Sequence, residues 1–380
     1  MLEAALPPPA DPLAAVTHPD PWGYYRQLRE TRPLYFDAGL QLWVASSQAV
    51  INEALQHPAL TVRPPGQAVP AALQGRPAGE VFARLVRMTD GAFHAAHKPA
   101  VVESVRRWSL ADVARASQAA TTDLLSRLDA NSLLGRLPVQ TMARLLAVPG
   151  RELDSTCEQV QAFVKGIAPG ASETAVALAS EAAQALMARG SAEGLDAVQA
   201  ANRIALMQQS LDATAGLLGH TVLMLRQYPA LAEAASRSLA DMREFVTEVE
   251  RHQAPIQNTR RFAAQALQLA SQPIAQGQGV LLLLACGNRD PAFNSQPDNF
   301  DPQRSDGRSL GFGAGAHACP GAVIAIETVA AASRQMGAGG RFDTYFGLQA
   351  GFRPLGNARI PLFEEQTVPT KEKHHGVSDF

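Results

Sequence analysis

Leu310-Gly311-Phe312-Gly313-Ala314-Gly315-Ala316-His317-Ala318-Cys319-Pro320-Gly321 is the stretch on which the reading of this 380-residue chain turns. It runs into an apolar segment with helical spacing, so Cys319 falls just before a helix N-terminus. Unpaired backbone N–H groups and the positive end of the helix dipole favour a thiolate there, and the same donors can hydrogen-bond a metal-bound sulfur. Gly313, Gly315 and Gly321 let the backbone turn tightly and approach a flat ligand, beneath which Phe312 can pack. A nucleotide loop would need Gly-Lys-Ser/Thr, which is missing. A zinc site would need more than His317 and Cys319. An inert buried thiol is the plain alternative for a lone cysteine.

Composition narrows the setting. Hydrophobic residues make up 46% of the chain and charged residues 18%, enough apolar surface for a large core around an internal cavity. The formal net charge is −2, with no basic run suited to a phosphate backbone, so nucleic acid is not an expected partner. Three scattered cysteines, Cys157, Cys286 and Cys319, form no disulfide framework and fit a reducing cytoplasm. The opening MLEAALPPPADPLAAVTHPD has neither a basic n-region nor an apolar h-region, and no run reaches about 18 uninterrupted apolar residues, so neither a signal nor a membrane span is expected.

Along the chain, residues 33–46 read as two short strands around an Asp37-Ala38-Gly39 turn. From about 108 to 240 the Ala/Leu/Arg/Gln/Glu-rich texture predicts stacked helices, among them one of about 25 residues from Arg203 to Gln227 that crosses the interior. Beyond 252 come short strands, notably Gly279 to Ala285, a long irregular stretch from Asn288 to Gly311, and a helix from Ala322 to Gln335. The expected class is mainly α with a smaller β region (α+β), in one domain over 1–380 with flexible tails at 1–12 and 364–380.

Phe312-Gly313-x-Gly315-x-His317-x-Cys319-x-Gly321 resembles the haem-binding signature of the cytochrome P450 family, in its soluble bacterial form. The resemblance implies a helical fold enclosing haem b (iron protoporphyrin IX), with the Cys319 thiolate on the iron. Glu248-Val249-Glu250-Arg251 is similar to the family's Glu-x-x-Arg, and the segment Pro297 to Arg304 to its meander. Glu248, Arg251 and Arg304 are therefore expected to form a buried network that holds the loop before Cys319. Asp90-Gly91-Ala92-Phe93-His94-Ala95-Ala96-His97-Lys98 resembles the Asp-Pro-Pro-x-His-x-x-x-Arg segment and implies that His94 and Lys98 meet the haem propionates. Arg261, Arg308 and His317 are the further cofactor-binding candidates that the resemblance supplies.

The central helix departs from the pattern. Counting back from Tyr228-Pro229 aligns Gln209-Ser210-Leu211-Asp212-Ala213-Thr214 with the family's Ala/Gly-Gly-x-Asp/Glu-Thr-Thr segment over the iron. Asp212 keeps the acid, Ala213 replaces the first alcohol, and Thr214 stands as its substitute, giving Asp212 and Thr214 as the catalytic pair. Gln208, Gln209, Ala213 and Ile256 are expected to line the substrate side, and buried glutamines there need partners.

The activity implied is oxidation of a small to medium organic molecule with O2. No reductase is fused to the chain, so electrons would come from a ferredoxin or flavodoxin with its reductase, docking near Arg106 and Arg107. Secondary metabolism is the expected setting. A peroxide-using or rearranging enzyme and a non-catalytic haem sensor remain as alternatives.

Overall fold

The computed structural model describes residues 6–338 and 342–365. Leu34–Asp37 (β1) and Leu42–Ala45 (β2) form the expected hairpin; Asp37 Oδ1 accepts from the Gly39 and Leu40 amides and closes the turn. With Leu60–Thr61 (β3), Thr259–Ala263 (β4) and Gly279–Leu282 (β7) they make a five-stranded sheet in the order β1-β2-β7-β4-β3, where only β2 and β7 run parallel. Two small hairpins complete the β content, Leu267–Leu269 (β5) with Gln272–Ile274 (β6) and Gln349–Phe352 (β8) with Pro361–Phe363 (β9). The strand expected to reach Ala285 stops at Leu282, and Leu284–Asn288 is a short helix. A continuous apolar run looks the same in either state, which is why the boundary was not readable.

Helices fill the middle of the chain: Leu110–Leu125, Ala130–Leu145, Leu153–Ile167, Glu173–Ala192 and Ala197–Gln227. The last was expected to begin at Arg203 but starts six residues earlier and runs 31 residues, about 46 Å at 1.5 Å per residue. Its start is fixed by a capping box: Asp196 Oδ1 accepts from the Val198 and Gln199 amides, and Gln199 Oε1 accepts from the Asp196 amide.

This helix joins two hydrophobic cores. Ala201, Ile204, Ala205, Met207 and Leu211 pack with Phe82, Val160 and Phe163. Ala215, Leu217, Leu218, Val222 and Leu225 pack with Leu133, Phe245 and Val329. Each large apolar side chain buried in this way contributes about 1.5–3 kcal/mol. Between the two cores, Gln208, Gln209, Ser210, Asp212 and Ala213 keep accessible surface in the middle of an otherwise buried helix. Gly216 and Gly219 permit close approaches further along, since a Cβ on either would stand 2.9 Å from the Arg359 carbonyl oxygen or Pro361 Cδ respectively.

The helix after the cysteine loop spans Ala322–Ala338, three residues longer than expected. Gly315–Gly337 is apolar enough to cross a membrane by length and composition, a test that core helices of soluble proteins also pass. Val329, Ala330, Ala331 and Ala332 are fully buried in it. Of the expected tails, Pro9 and Pro12 are buried and the Pro7 carbonyl accepts from His18 Nε2 at 2.9 Å, while residues 1–5 and 366–380 lie outside the described part.

Candidate active site

The loop before Cys319 is held from behind. Arg251 Nε and Nη2 donate to the two Glu248 oxygens at 2.8 and 2.7 Å, and Arg304 Nε reaches both at 3.1 Å. Glu248 also accepts from the Asp301 amide at 3.0 Å, and Arg251 Nη1 donates to the Asn288 and Pro297 carbonyls. Glu248 and Arg251 are 3% and 2% exposed, so the network is desolvated and every charged atom has a partner to lose. Sequence reasoning missed Asn288. Its amide nitrogen donates to the Arg251 carbonyl and Ser309 Oγ, while its Oδ1 accepts from the Leu310 amide at 2.7 Å.

The loop itself turns through left-handed glycines, Gly313 at φ 68° and Gly315 at φ 64°. A Cβ on Gly315 would stand 3.0 Å from the Leu55 carbonyl, so the glycine is required for packing as well. The Cys319 amide donates to the Phe312 carbonyl at 2.8 Å, and the Gly313 amide to that of Leu310 at 2.8 Å. Cys319 retains accessible surface at the end of this loop. Burial pushes its thiol up, against the Gly321 N–H, Lys98 and Arg87, which pull it down; Glu250 adds to the rise. The expected preference for a thiolate is thus outweighed by desolvation in the chain alone. Coordination to a metal would reverse that, because a coordinating thiol is deprotonated.

Cations gather on the same side. His317 Nε2 donates to Asp90 Oδ1 at 3.0 Å, the Val62 amide donates to Asp90 Oδ2 at 3.0 Å, and the His94 and His317 rings lie 4.4 Å apart. Burial works to raise the Asp90 carboxyl, but His317, the Val62 amide and Arg261 hold it below the usual carboxylate range. Burial, His317 and Lys98 lower His94, whose Nε2 is buried without a hydrogen-bond partner. Lys98 Nζ donates to the Ala318 carbonyl at 3.0 Å, next to Cys319. Arg261 on β4 is 6% exposed and interacts electrostatically with Asp90 and Arg87.

Two placements differ from expectation. Arg308 is exposed, its guanidinium 5.8 Å from the Phe293 ring, and its contacts with Asn294 are through its backbone. Arg87, for which no motif spoke, takes a place among the cations instead. On the long helix, 3.6 residues per turn set Gln208, Gln209, Asp212 and Ala213 on one accessible face. Thr214, 3% exposed, falls on the opposite face with Leu211 and Ala215. Burial raises the Asp212 carboxyl, with Arg353 opposing; Arg353 is a further residue the motifs did not reveal, and its Nη2 donates to the Asn131 carbonyl at 2.9 Å. Gln208 Oε1 is buried without a partner, and Ile256 is part-buried between two cores and bridged to Ala358.

The residues present suit haem. A buried, unpartnered imidazole nitrogen and several cations flank the cysteine, which is the donor set that an iron porphyrin with two carboxylates would call for. The family model for cytochrome P450 matches residues 226–332, which contain the charged network and the Cys319 loop. Over that segment the chain matches the cytochrome P450 family. Its fold superimposes with a TM-score of 0.75 on the structure of P450 RauA complexed with a biosynthetic intermediate of aurachin RE, at 19% identity over 93% of this chain and 97% of that one. Cytochrome P450 BJ-3 of Bradyrhizobium diazoefficiens is 26% identical over 360 residues, covering 80% of this chain and 83% of the relative. Erythromycin C-12 hydroxylase of Saccharopolyspora erythraea is 35% identical over 134 residues, 34% of each chain. For several curated relatives the match spans only about 30% of their length.

Proposed function

We propose that this chain is a cytoplasmic haem-thiolate monooxygenase that oxidises a small to medium organic substrate with O2. The observation that carries the reading is Cys319, which stays accessible on a loop fixed by the Glu248–Arg251–Arg304 network, near His94, Lys98, Arg261 and His317. In this reading Cys319 binds the iron of haem b, and His94, Lys98, Arg261 and His317 hold the propionates. Phe312, Gly313 and Gly321 would shape the loop that carries the ligand. The haem-thiolate supplies activation of O2 when bound, with the thiolate favouring O–O cleavage.

The chain's own residues position and relay. Gln208, Gln209, Asp212 and Ala213 would form the opposite wall, where the raised Asp212 carboxyl can hold a proton and pass it into the cavity. Arg353 steadies Asp212 electrostatically. Arg106 and Arg107, both exposed at a helix end, would present cations to an acidic ferredoxin or flavodoxin that brings electrons from its reductase. The test is oxygen-dependent product formation with a ferredoxin, its reductase and NAD(P)H over a library of terpenoid and polyketide substrates. Tight binding of such compounds with no product from any electron source would contradict the proposal.

One observation favours a second reading. With Ala213 on the cavity face and Thr214 turned into the core, no helix alcohol stands beside Asp212 to share the relay. Direct use of peroxide avoids that need, and turnover with hydrogen peroxide alone that matches the ferredoxin system would support it.

A further inference from the structure

Arg87 is the cation that the reading above leaves without a task. It sits on the 3-10 turn Val86–Met88, its side chain surrounded by protein yet accessible, as Cys319 is, and it interacts electrostatically with both Cys319 and Arg261. Among the described residues no carboxylate lies within ion-pair distance of it. The surrounding protein pulls the guanidinium down, while the side chain itself stays accessible and has no paired acid among the described residues.

Its backbone, by contrast, is firmly placed. Asn202 of the long helix, 7% exposed, accepts from the Val86 amide at 3.0 Å and donates to the Arg84 carbonyl at 2.9 Å, and Thr89 Oγ1 donates to the Val86 carbonyl at 2.9 Å. Asn202 therefore fixes the chain just before Arg87, and Thr89 closes the turn from the other side. Such support is what holds a binding group at a fixed point.

Haem brings two carboxylates, and the site already offers Lys98 and Arg261 as a permanent cation for each, with Asp90 engaged by His317 and Val62. Arg87 is a third permanent cation, and a guanidinium fork matches a planar carboxylate in a bidentate pair. We propose that Arg87 anchors the carboxylate of an acidic organic substrate in the cavity beside Cys319. The proposal rests on the haem-thiolate reading and adds the class of substrate to it.

The experiment uses the ferric holoenzyme and Arg87→Gln, with Arg87→Lys as a charge-preserving control. Haem content and the reduced carbon monoxide spectrum are recorded first for each protein. Soret shifts are then titrated with dodecanoate, 3-phenylpropanoate and naphthalene-2-carboxylate, each beside its methyl ester. The expected result is that an acid binds the wild type more tightly than its ester does, and binds Arg87→Gln roughly ten- to a hundredfold more weakly. Ester binding and haem content stay unchanged, and Arg87→Lys is intermediate. The proposal is overturned if no acid outbinds its ester in the wild type, or if the preference survives Arg87→Gln. Loss of haem from Arg87→Gln would also overturn it, because the carboxylate would then be a propionate. A wild type that lacks the red-shifted carbon monoxide band sinks the haem-thiolate reading itself, and is told apart because it is read before any acid is added.

Discussion

The Leu310 amide donates to Asn288 Oδ1 at 2.7 Å, which ties the cysteine loop to the charged network through a single side chain with no solvent exposure. The amide nitrogen of Asn288 serves the Arg251 carbonyl and Ser309 Oγ at the same time. Asn288→Ala leaves these buried groups unpaired, at about 1–3 kcal/mol for each that stays dry. A lower thermal midpoint and a lower haem-to-protein ratio on purification are expected. Asn288→Asp, which keeps the acceptor for Leu310, should fall between.

Glu250, beside the network and 5% exposed, is pushed up to about 7 by burial, against the Ser309 hydroxyl and Arg251. A carboxyl raised from its ordinary 4.5 keeps its proton in the folded chain after the unfolded chain has lost it. Its stabilising contribution is complete below pH 4.5 and disappears as the pH rises through 7. Over that window the wild type should lose stability at up to about 1.4 kcal/mol per pH unit from this group. Urea midpoints at the two ends of the window should differ less for Glu250→Gln than for the wild type; an equal difference would exclude the carboxyl as the cause.

The same carboxylate explains a glycine. A Cβ on Gly311 would come within 1.8 Å of Glu250 Oε1, so the two side chains cannot both be large. Gly311→Ala should destabilise the chain by about 1–3 kcal/mol through overpacking. In an Glu250→Ala background the same change should cost far less. A double-mutant cycle on thermal unfolding reads the coupling, and additive costs would contradict the close approach.

Arg353 opposes the burial of Asp212. Removing its charge in Arg353→Gln should raise the Asp212 carboxyl further, since an opposite charge no longer favours the ionised form. If Asp212 relays the proton from its protonated form, the alkaline limb of the rate profile moves to higher pH in Arg353→Gln and is lost in Asp212→Asn. A limb that stays in place in both variants would remove Asp212 from the relay.

Much of the site could be read from local sequence. The Cys319 loop, the Glu248–Arg251 pair and the Asp90–His94–Lys98 segment each keep their key residues within one turn or loop, so spacing carries the geometry. Asn288, Arg87 and Arg353 act across the fold: Asn288 reaches Leu310 over 22 residues, and the clamp from Asn202 to Val86 spans 116. No local pattern announces such pairings. The long helix was legible in its period and its end at Tyr228-Pro229. The way Thr214 faces was not, because it depends on which side the two cores take.

The central claim is that Cys319 binds haem iron as a thiolate. The absorbance spectrum of the reduced, carbon monoxide-bound holoprotein tests it most directly, because thiolate ligation moves the Soret band strongly to the red. That band is expected in the wild type and should be lost in Cys319→Ser. A wild type without it, or a Cys319→Ser protein that keeps it, would rule out Cys319 as the thiolate ligand.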